Sequence, residues 1–268
     1  MSQPALLAEQ DGHVLVVTIN RPEKKNAVNA EVLCGLDDAW HRLDADDELR
    51  VAILTGAGGN FCAGMDLSVI DKLARGIPPE NEFEERIQKD TSIIFNGWLK
   101  TYRPTKPVIA AVEGYALAGG TEILQGTDIR VAGESAQFGV TEAQRALFPM
   151  AGSTVRLPRQ IPYTMALEML LTGNAYSARQ CLAMGLIGHV VPDGQALAEA
   201  RRIADRIAAN GPLAVRAILQ AVRETACLPE AAAFEKEMAI GLPVFGSEDA
   251  KEGPRAFLEK RPPVFKGR

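Results

Sequence analysis

Two short segments, VAILTGA (51–57) and PVIAAVEG (107–114), are apolar on nearly every residue, and a third, IRVAGE (129–134), contributes Ile129, Val131 and Ala132. A strand with one wet face alternates apolar and polar side chains, whereas an unbroken apolar run needs cover on both faces. HVLVVTIN (13–20) reads as a fourth such strand, closed by Arg21-Pro22, and VNAEVLCGLDDAWHRLDAD (28–46) has helical periodicity. Buried strands separated by helices restrict the chain to an α/β architecture with a largely parallel sheet. Between two of the strands lies the long polar segment 67–106. Its Gly76, Pro78 and Pro79 predict a lid or loop, followed by a helix over about 82–101.

The pattern changes near residue 194. QALAEARRIADRIAAN, PLAVRAILQAVRET, PEAAAFEKEMAIGL and SEDAKEGPRAFLEK are successive helical stretches. Pro212 and Pro229 stand where helices should begin, and no strand is evident. The chain thus divides into an α/β core over 1–195 and a helical region over 196–268. The apolar faces of that region can complete the core, pack on another subunit, or both.

The familiar cofactor and nucleophile signatures fail. TGAGGNF (55–61) places Phe61 where a dinucleotide turn needs its third glycine, and there is neither a GxxxxGK[ST] nor a GxSxG sequence. The three histidines are far apart and the four cysteines are scattered without CxxC spacing, so no metal site is expected and reduced thiols are. The net charge of −5 argues against a nucleic-acid partner. No apolar run approaches the roughly 18 residues of a membrane span, and the N-terminus lacks a targeting pattern, so a cytoplasmic location is expected.

Two strand ends remain. GGNFCAGMDL (58–67) follows the strand 51–57, and YALAGGTEI (115–123) follows the strand 107–114. Both read as strand-to-helix turns of small residues, whose free N–H groups can receive an anion or a developing oxyanion. On spacing alone the plainer reading is two tight turns in which glycine serves its dihedral freedom. Glu122 likewise reads as a helix-start acid favoured by the helix dipole, and Glu142 as a surface acid at a helix start.

FCAGMDL, EGYALAGGTEI and AQFGVTE (136–142), with RPEKKNAVN (21–29) and AFLEKRPPVF (256–265), resemble the enoyl-CoA hydratase/isomerase, or crotonase, superfamily nearly end to end. The texture of 119–139 is most similar to actinobacterial hydratases, some of which act on steroid side-chain thioesters. The resemblance implies a spiral of ββα units with a helical C-terminal trimerisation region, assembled as a homotrimer or a dimer of trimers. It implies that the backbone N–H groups of Met65 and Gly119 hold the thioester oxygen, with a Cβ at Gly119 expected to crowd the thioester. It implies that Glu122 and Glu142 share the activation of water and the delivery of a proton, giving reversible syn hydration of a trans-2-enoyl-CoA in fatty-acid or steroid side-chain oxidation. No cofactor is expected; CoA, part of the substrate, would be held by the first turn with Ala63 and Asp66, by Lys24 or Lys25, and by Phe257 and Lys260. Asp66 also reads as a helix cap. Residues 251–268 carry six Lys or Arg against two Glu, which suits a phosphate ligand or a solvated tail.

The second glutamate favours hydration over a Δ3,Δ2-isomerase; a carnitinyl-CoA dehydratase-like reaction is the neighbouring alternative. A low-turnover CoA-thioester or RNA-binding relative is the alternative of another class, and the acidic charge argues against RNA. Three departures stand out: Ala118 and Ser153 occupy common glycine positions, and Pro149-Met150 replaces a common Pro-Gly pair. Met150 and the segment 67–106 are expected to set acyl preference.

Overall fold

The computed structural model describes residues 3–268. Among these residues nine strands form two sheets: β1 (Leu6–Asp11), β2 (Val14–Ile19), β3 (Val51–Gly56), β4 (Val108–Val112), β5 (Tyr115–Leu117), β6 (Ile129–Gly133), β7 (Gln137–Gly139), β8 (Tyr176–Ser177) and β9 (His189–Val191). The larger sheet has the order β1-β2-β3-β4-β6-β9, parallel throughout except for the β1–β2 hairpin. The smaller sheet, β5-β7-β8, pairs β5 with β7 in parallel.

Side-chain alternation on the central strands explains their unbroken apolar sequence. Ala52 and Leu54 of β3 and Val108, Ala110 and Val112 of β4 enter one core. Val51 and Ile53, with Ile109 and Ala111, enter a second core on the opposite face. The first core is covered by α1 (Ala30–Ala45), whose Trp40, Leu33, Leu36 and Leu43 are fully buried and whose start is capped by the Asn29 side chain on Val32 N–H.

Segment 67–106 contains three short helices, α2 (Leu67–Ala74), α3 (Glu82–Lys89) and α4 (Ser92–Gly97), in place of the single helix expected over about 82–101. The break has a local cause. The Asp90 carboxylate accepts from Ser92 N–H and Ser92 Oγ, an Asx turn that competes with helix propagation. The corner delivers Trp98, 3% exposed, to the end of β5.

Five helices follow the smaller sheet's first strand up to residue 208: α5 (Gly119–Leu124), α6 (Ser153–Gln160), α7 (Tyr163–Thr172), α8 (Ala178–Ala183) and α9 (Ala196–Ala208). Ala196, Ala200, Ala204 and Ala208 recur every four residues on α9 and lie against the second core. A stripe of methyl groups lets the helix approach the sheet closely, so α9 completes the core. Beyond it come α10 (Pro212–Thr225), α11 (Glu230–Gly241) and α12 (Glu248–Leu258). They leave Ile218, Val222, Phe234, Met238, Leu242, Phe245, Phe257 and Leu258 exposed. Among the described residues, no helix is long and apolar enough to cross a membrane.

Candidate active site

The two glycine turns meet. Cys62 N–H donates to Tyr115 O (2.8 Å) and Leu117 N–H donates to Cys62 O (2.9 Å), so the first turn is stitched along β5. Gly64 has φ +95°, and a Cβ built on it would lie 2.8 Å from Ala118 Cβ and 3.2 Å from Gly119 N. A Cβ on Gly120 would fall 2.2 Å from Cys62 O. Both glycines are therefore demanded by the close approach of one turn to the other. Among the described residues, neither Met65 N–H nor Gly119 N–H donates to a protein acceptor. Gly119 opens α5, where helix geometry leaves its N–H without an intrahelical partner. Both residues line one cavity of about 830 Å³.

A Cβ on Gly119 would lie 2.7 Å from Trp98 Cη2, so the indole ring by itself already crowds a side chain there. Ala118 before it adopts φ +51°, ψ −125°, a conformation that costs a non-glycine residue about 1–3 kcal/mol. Ala118 is held there by its own N–H donating to Gly139 O (2.7 Å) and by its carbonyl accepting from Thr121 and Glu122 N–H. Thr121 Oγ1 accepts from Gly139 N–H (3.0 Å) and donates to Ala116 O, locking the ends of β5 and β7 together.

That pairing brings the two glutamates to one place. Glu122 lies one turn after Gly119 on α5, and Glu142 opens a 3-10 turn just after β7. Because β5 and β7 are parallel neighbours, the segments leaving their ends emerge on the same side, and both carboxyls line the cavity. Glu122 is 3% exposed. Its Oε2 accepts from Ala151 N–H (3.1 Å) and its Oε1 from Ser153 N–H (3.0 Å). Burial raises its pKa, and the Ser153 and Ala151 donors oppose the rise by favouring the carboxylate. Glu142 is pushed up to about 7, first by burial and then by the negative charge of Glu122. Its Oε2 is buried without a partner among the described residues. The pair is thus polarised, with Glu122 the better held carboxylate and Glu142 the better proton holder.

The cavity wall is otherwise largely apolar, with Leu67 and Ile70 of α2, Ile94 and Phe95 of α4, Trp98 and Phe148. Ala63 and Lys25 stand at the wall, with Lys25 Nζ 4.7 Å from the centre of the Tyr115 ring. Met150 lines it too, and its carbonyl accepts from Lys100 Nζ (2.6 Å), which anchors the stretch that grips Glu122.

Four expected ligand contacts are not part of this wall. Asp66 Oδ2 meets Arg21 Nη2 at 3.1 Å, and its Oδ1 accepts from Ser68 N–H and Oγ. Burial raises its pKa, but the Ser68 and Arg21 contacts outweigh this and hold it low. Its carboxylate shapes the turn and caps α2. Lys24 is exposed and lies outside the lining. Phe257, 83% exposed, and Lys260 lie at the end of α12, away from the cavity of their own chain. The buried neighbour Ala256 takes the inward face of α12 there. Sequence reasoning missed Trp98, Thr121 and the Ala151 and Ser153 donors; only the glycine replaced by Ser153 gave any signal of them. Among the described residues, no group of three or more His, Cys, Asp or Glu is placed to hold a metal ion.

Comparison with known proteins adds a consistent set of likenesses. The family model described as Enoyl-CoA hydratase/isomerase matches residues 9–268. Enoyl-CoA hydratase EchA19 of Mycobacterium tuberculosis is 57% identical over 267 residues, covering 100% of this chain and 98% of the relative. Carnitinyl-CoA dehydratase of Proteus mirabilis is 38% identical, with all of each chain covered (100% and 100%). The crystal structure of enoyl-CoA hydratase EchA1 from Mycobacterium marinum superposes with a TM-score of 0.88 at 45% identity, covering 99% of this chain and 100% of that one.

Proposed function

The chain belongs to the enoyl-CoA hydratase/isomerase family and has its crotonase fold, and on that premise we propose how it carries out the reversible hydration of a trans-2-enoyl-CoA. The thioester oxygen sits between Met65 N–H and Gly119 N–H, which polarise the carbonyl and make C3 electrophilic. Glu122, as carboxylate, takes a proton from water as the water oxygen bonds to C3. The electron pair of the C2–C3 double bond moves to the carbonyl, giving an enolate whose oxygen the two N–H groups stabilise. Glu142 delivers its proton to C2, and passage of a proton from Glu122 to Glu142 restores the pair. With both carboxyls on one face of the bound enoyl group, both additions come from that side and the outcome is syn. The product is a 3-hydroxyacyl-CoA, and no cofactor is used beyond the CoA the substrate carries.

The observation that carries this reading is the polarised pair: Glu122 gripped by two backbone donors, beside Glu142 with an unpartnered oxygen and a pKa of about 7. A backbone donor at the carbonyl oxygen is typically worth about 10²–10³ in rate, and a positioned acid or base about 10²–10⁴. Lys25 and Ala63 are placed to meet CoA where it enters. Phe257 and Lys260 are available to a CoA held by another copy, and with the exposed apolar side chains of α10–α12 they support a homotrimer or dimer of trimers. A cytoplasmic site in fatty-acid or steroid side-chain oxidation fits these features.

The test is loss of the conjugated enoyl-thioester absorbance on adding purified protein to 2-enoyl-CoA substrates of several acyl shapes. Glu122→Gln and Glu142→Gln should each lower kcat by about 10²–10⁴. Wild-type rates in both variants would rule the mechanism out. Conversion of a 3-enoyl thioester without water uptake, by a protein inert toward 2-enoyl thioesters, would replace it with isomerisation.

A further inference from the structure

Behind Glu122 lies a second polar layer that the mechanism above does not use. Ser153 is fully buried at the start of α6 (0% exposed), and Gln125, one residue past α5, is 1% exposed. Gln125 Nε2 lies 3.3 Å from Thr121 O and 2.7 Å from Ser153 Oγ. The carbonyl can only accept, so the nitrogen of the Gln125 amide must face it, and this fixes the amide's orientation. Ser153 Oγ therefore accepts from Gln125 and keeps a single proton to donate. The backbone N–H of the same serine holds Glu122 Oε1 at 3.0 Å, so the hydroxyl belongs to a residue already bound to that carboxylate. The Ser153 hydroxyl is accordingly among the groups that favour the charged form of Glu122.

We propose that Gln125 and Ser153 form a buried relay of positioning residues, in which the Gln125 amide turns the Ser153 hydroxyl proton onto Glu122 and keeps Glu122 the water-activating carboxylate. The proposal rests on the hydratase reading. A glycine at 153 would retain the N–H bond and lose the hydroxyl, so the relay is a property of this chain's own residues. The other charged groups acting on Glu122 are Glu142 on the 3-10 turn, which opposes its charge, and Arg156 on α6, which favours it. Both stay in place when Ser153 is changed.

The experiment is the pH profile of kcat/KM for hydration of a 2-enoyl-CoA. Water activation fails once Glu122 is protonated, so activity falls as pH drops through an acid limb. Removing a donor from the carboxylate raises its pKa, so the limb in Ser153→Ala and in Ser153→Gly should move up by about one pH unit. Gln125→Met should move it less, in the same direction. Gln125→Met combined with Ser153→Ala should match Ser153→Ala alone, because the amide acts only through the hydroxyl. A purely structural role would lower activity or melting temperature and leave the limb fixed. An unmoved limb in both folded Ser153 variants, or additive shifts in the double variant, overturns the relay. A wild-type protein without hydration activity overturns the hydratase reading instead, so the two failures are distinguishable.

Discussion

Gly119→Ala tests why the second turn is built as it is. The added methyl would lie 2.7 Å from Trp98 Cη2 and 3.1 Å from Cζ2 and Cζ3, about 1 Å inside ordinary carbon–carbon contact at the nearest atom. Trp98 is 3% exposed and packs into the first core, so the ring has little room to withdraw. The strain divides between the ring and the turn, and overpacking of this kind costs about 1–3 kcal/mol. In a chain of this size that lowers the melting temperature by about 2–5 °C. Movement of the turn would also displace Gly119 N–H from the proposed oxyanion position, with up to about 10²–10³ lost in kcat. Calorimetry and hydration kinetics on Gly119→Ala, Trp98→Phe and the double variant separate the sources. If the indole is the obstacle, Trp98→Phe restores much of both the stability and the rate lost in Gly119→Ala. The reasoning is refuted if Gly119→Ala melts like the parent and stays inactive whatever residue stands at 98. That result would make the substrate the group a Cβ crowds.

Glu142 is pushed up to about 7 by burial and by Glu122, so as a proton donor it is loaded below that pH and empty above it; kcat/KM for hydration should fall as pH rises through about 7. Folding stability has the same sign, since a carboxyl whose native pKa is raised contributes most below its unfolded value and loses that contribution as pH rises through the native one. Glu142→Gln should flatten the alkaline decline of stability in denaturant titrations at pH 5 and pH 9; an undiminished decline would contradict the assignment. Ala118→Gly should stabilise the protein by about 1 kcal/mol, because alanine at φ +51°, ψ −125° bears a strain that glycine does not. An unchanged or lower melting temperature would show that the glycine's added unfolded-state freedom outweighs the relief.

The sequence made the central sheet readable because β3 and β4 are covered on both sides and so run apolar almost without interruption. β5 and β7 were not readable: three residues each cannot display a period, and their pairing is a tertiary event. The helix expected over about 82–101 failed for the opposite reason. Its composition permits a helix, and one aspartate side chain at position 90 diverts the backbone. In the site, the glycines marked both turns, but Trp98 as the obstacle at Gly119 lies 21 positions upstream in a segment read as lid and helix. The closeness of Glu122 and Glu142 depends on β5 lying beside β7, which residue spacing does not encode. The relay behind Glu122 showed itself only as an unexpected serine.

The donors that line the proposed site come mostly from main chain. Ala151 and Ser153 grip Glu122 through backbone N–H groups, and the free N–H groups of Met65 and Gly119 face the same cavity. A backbone donor does not depend on the identity of its own side chain, provided the turn keeps its path. Met65, Met150 and Ala151 all line the cavity. Substitutions there can reshape the chamber while these donors stay where they are. Substrate range in such a molecule can therefore drift one side chain at a time without the chemistry having to be reinvented at each step.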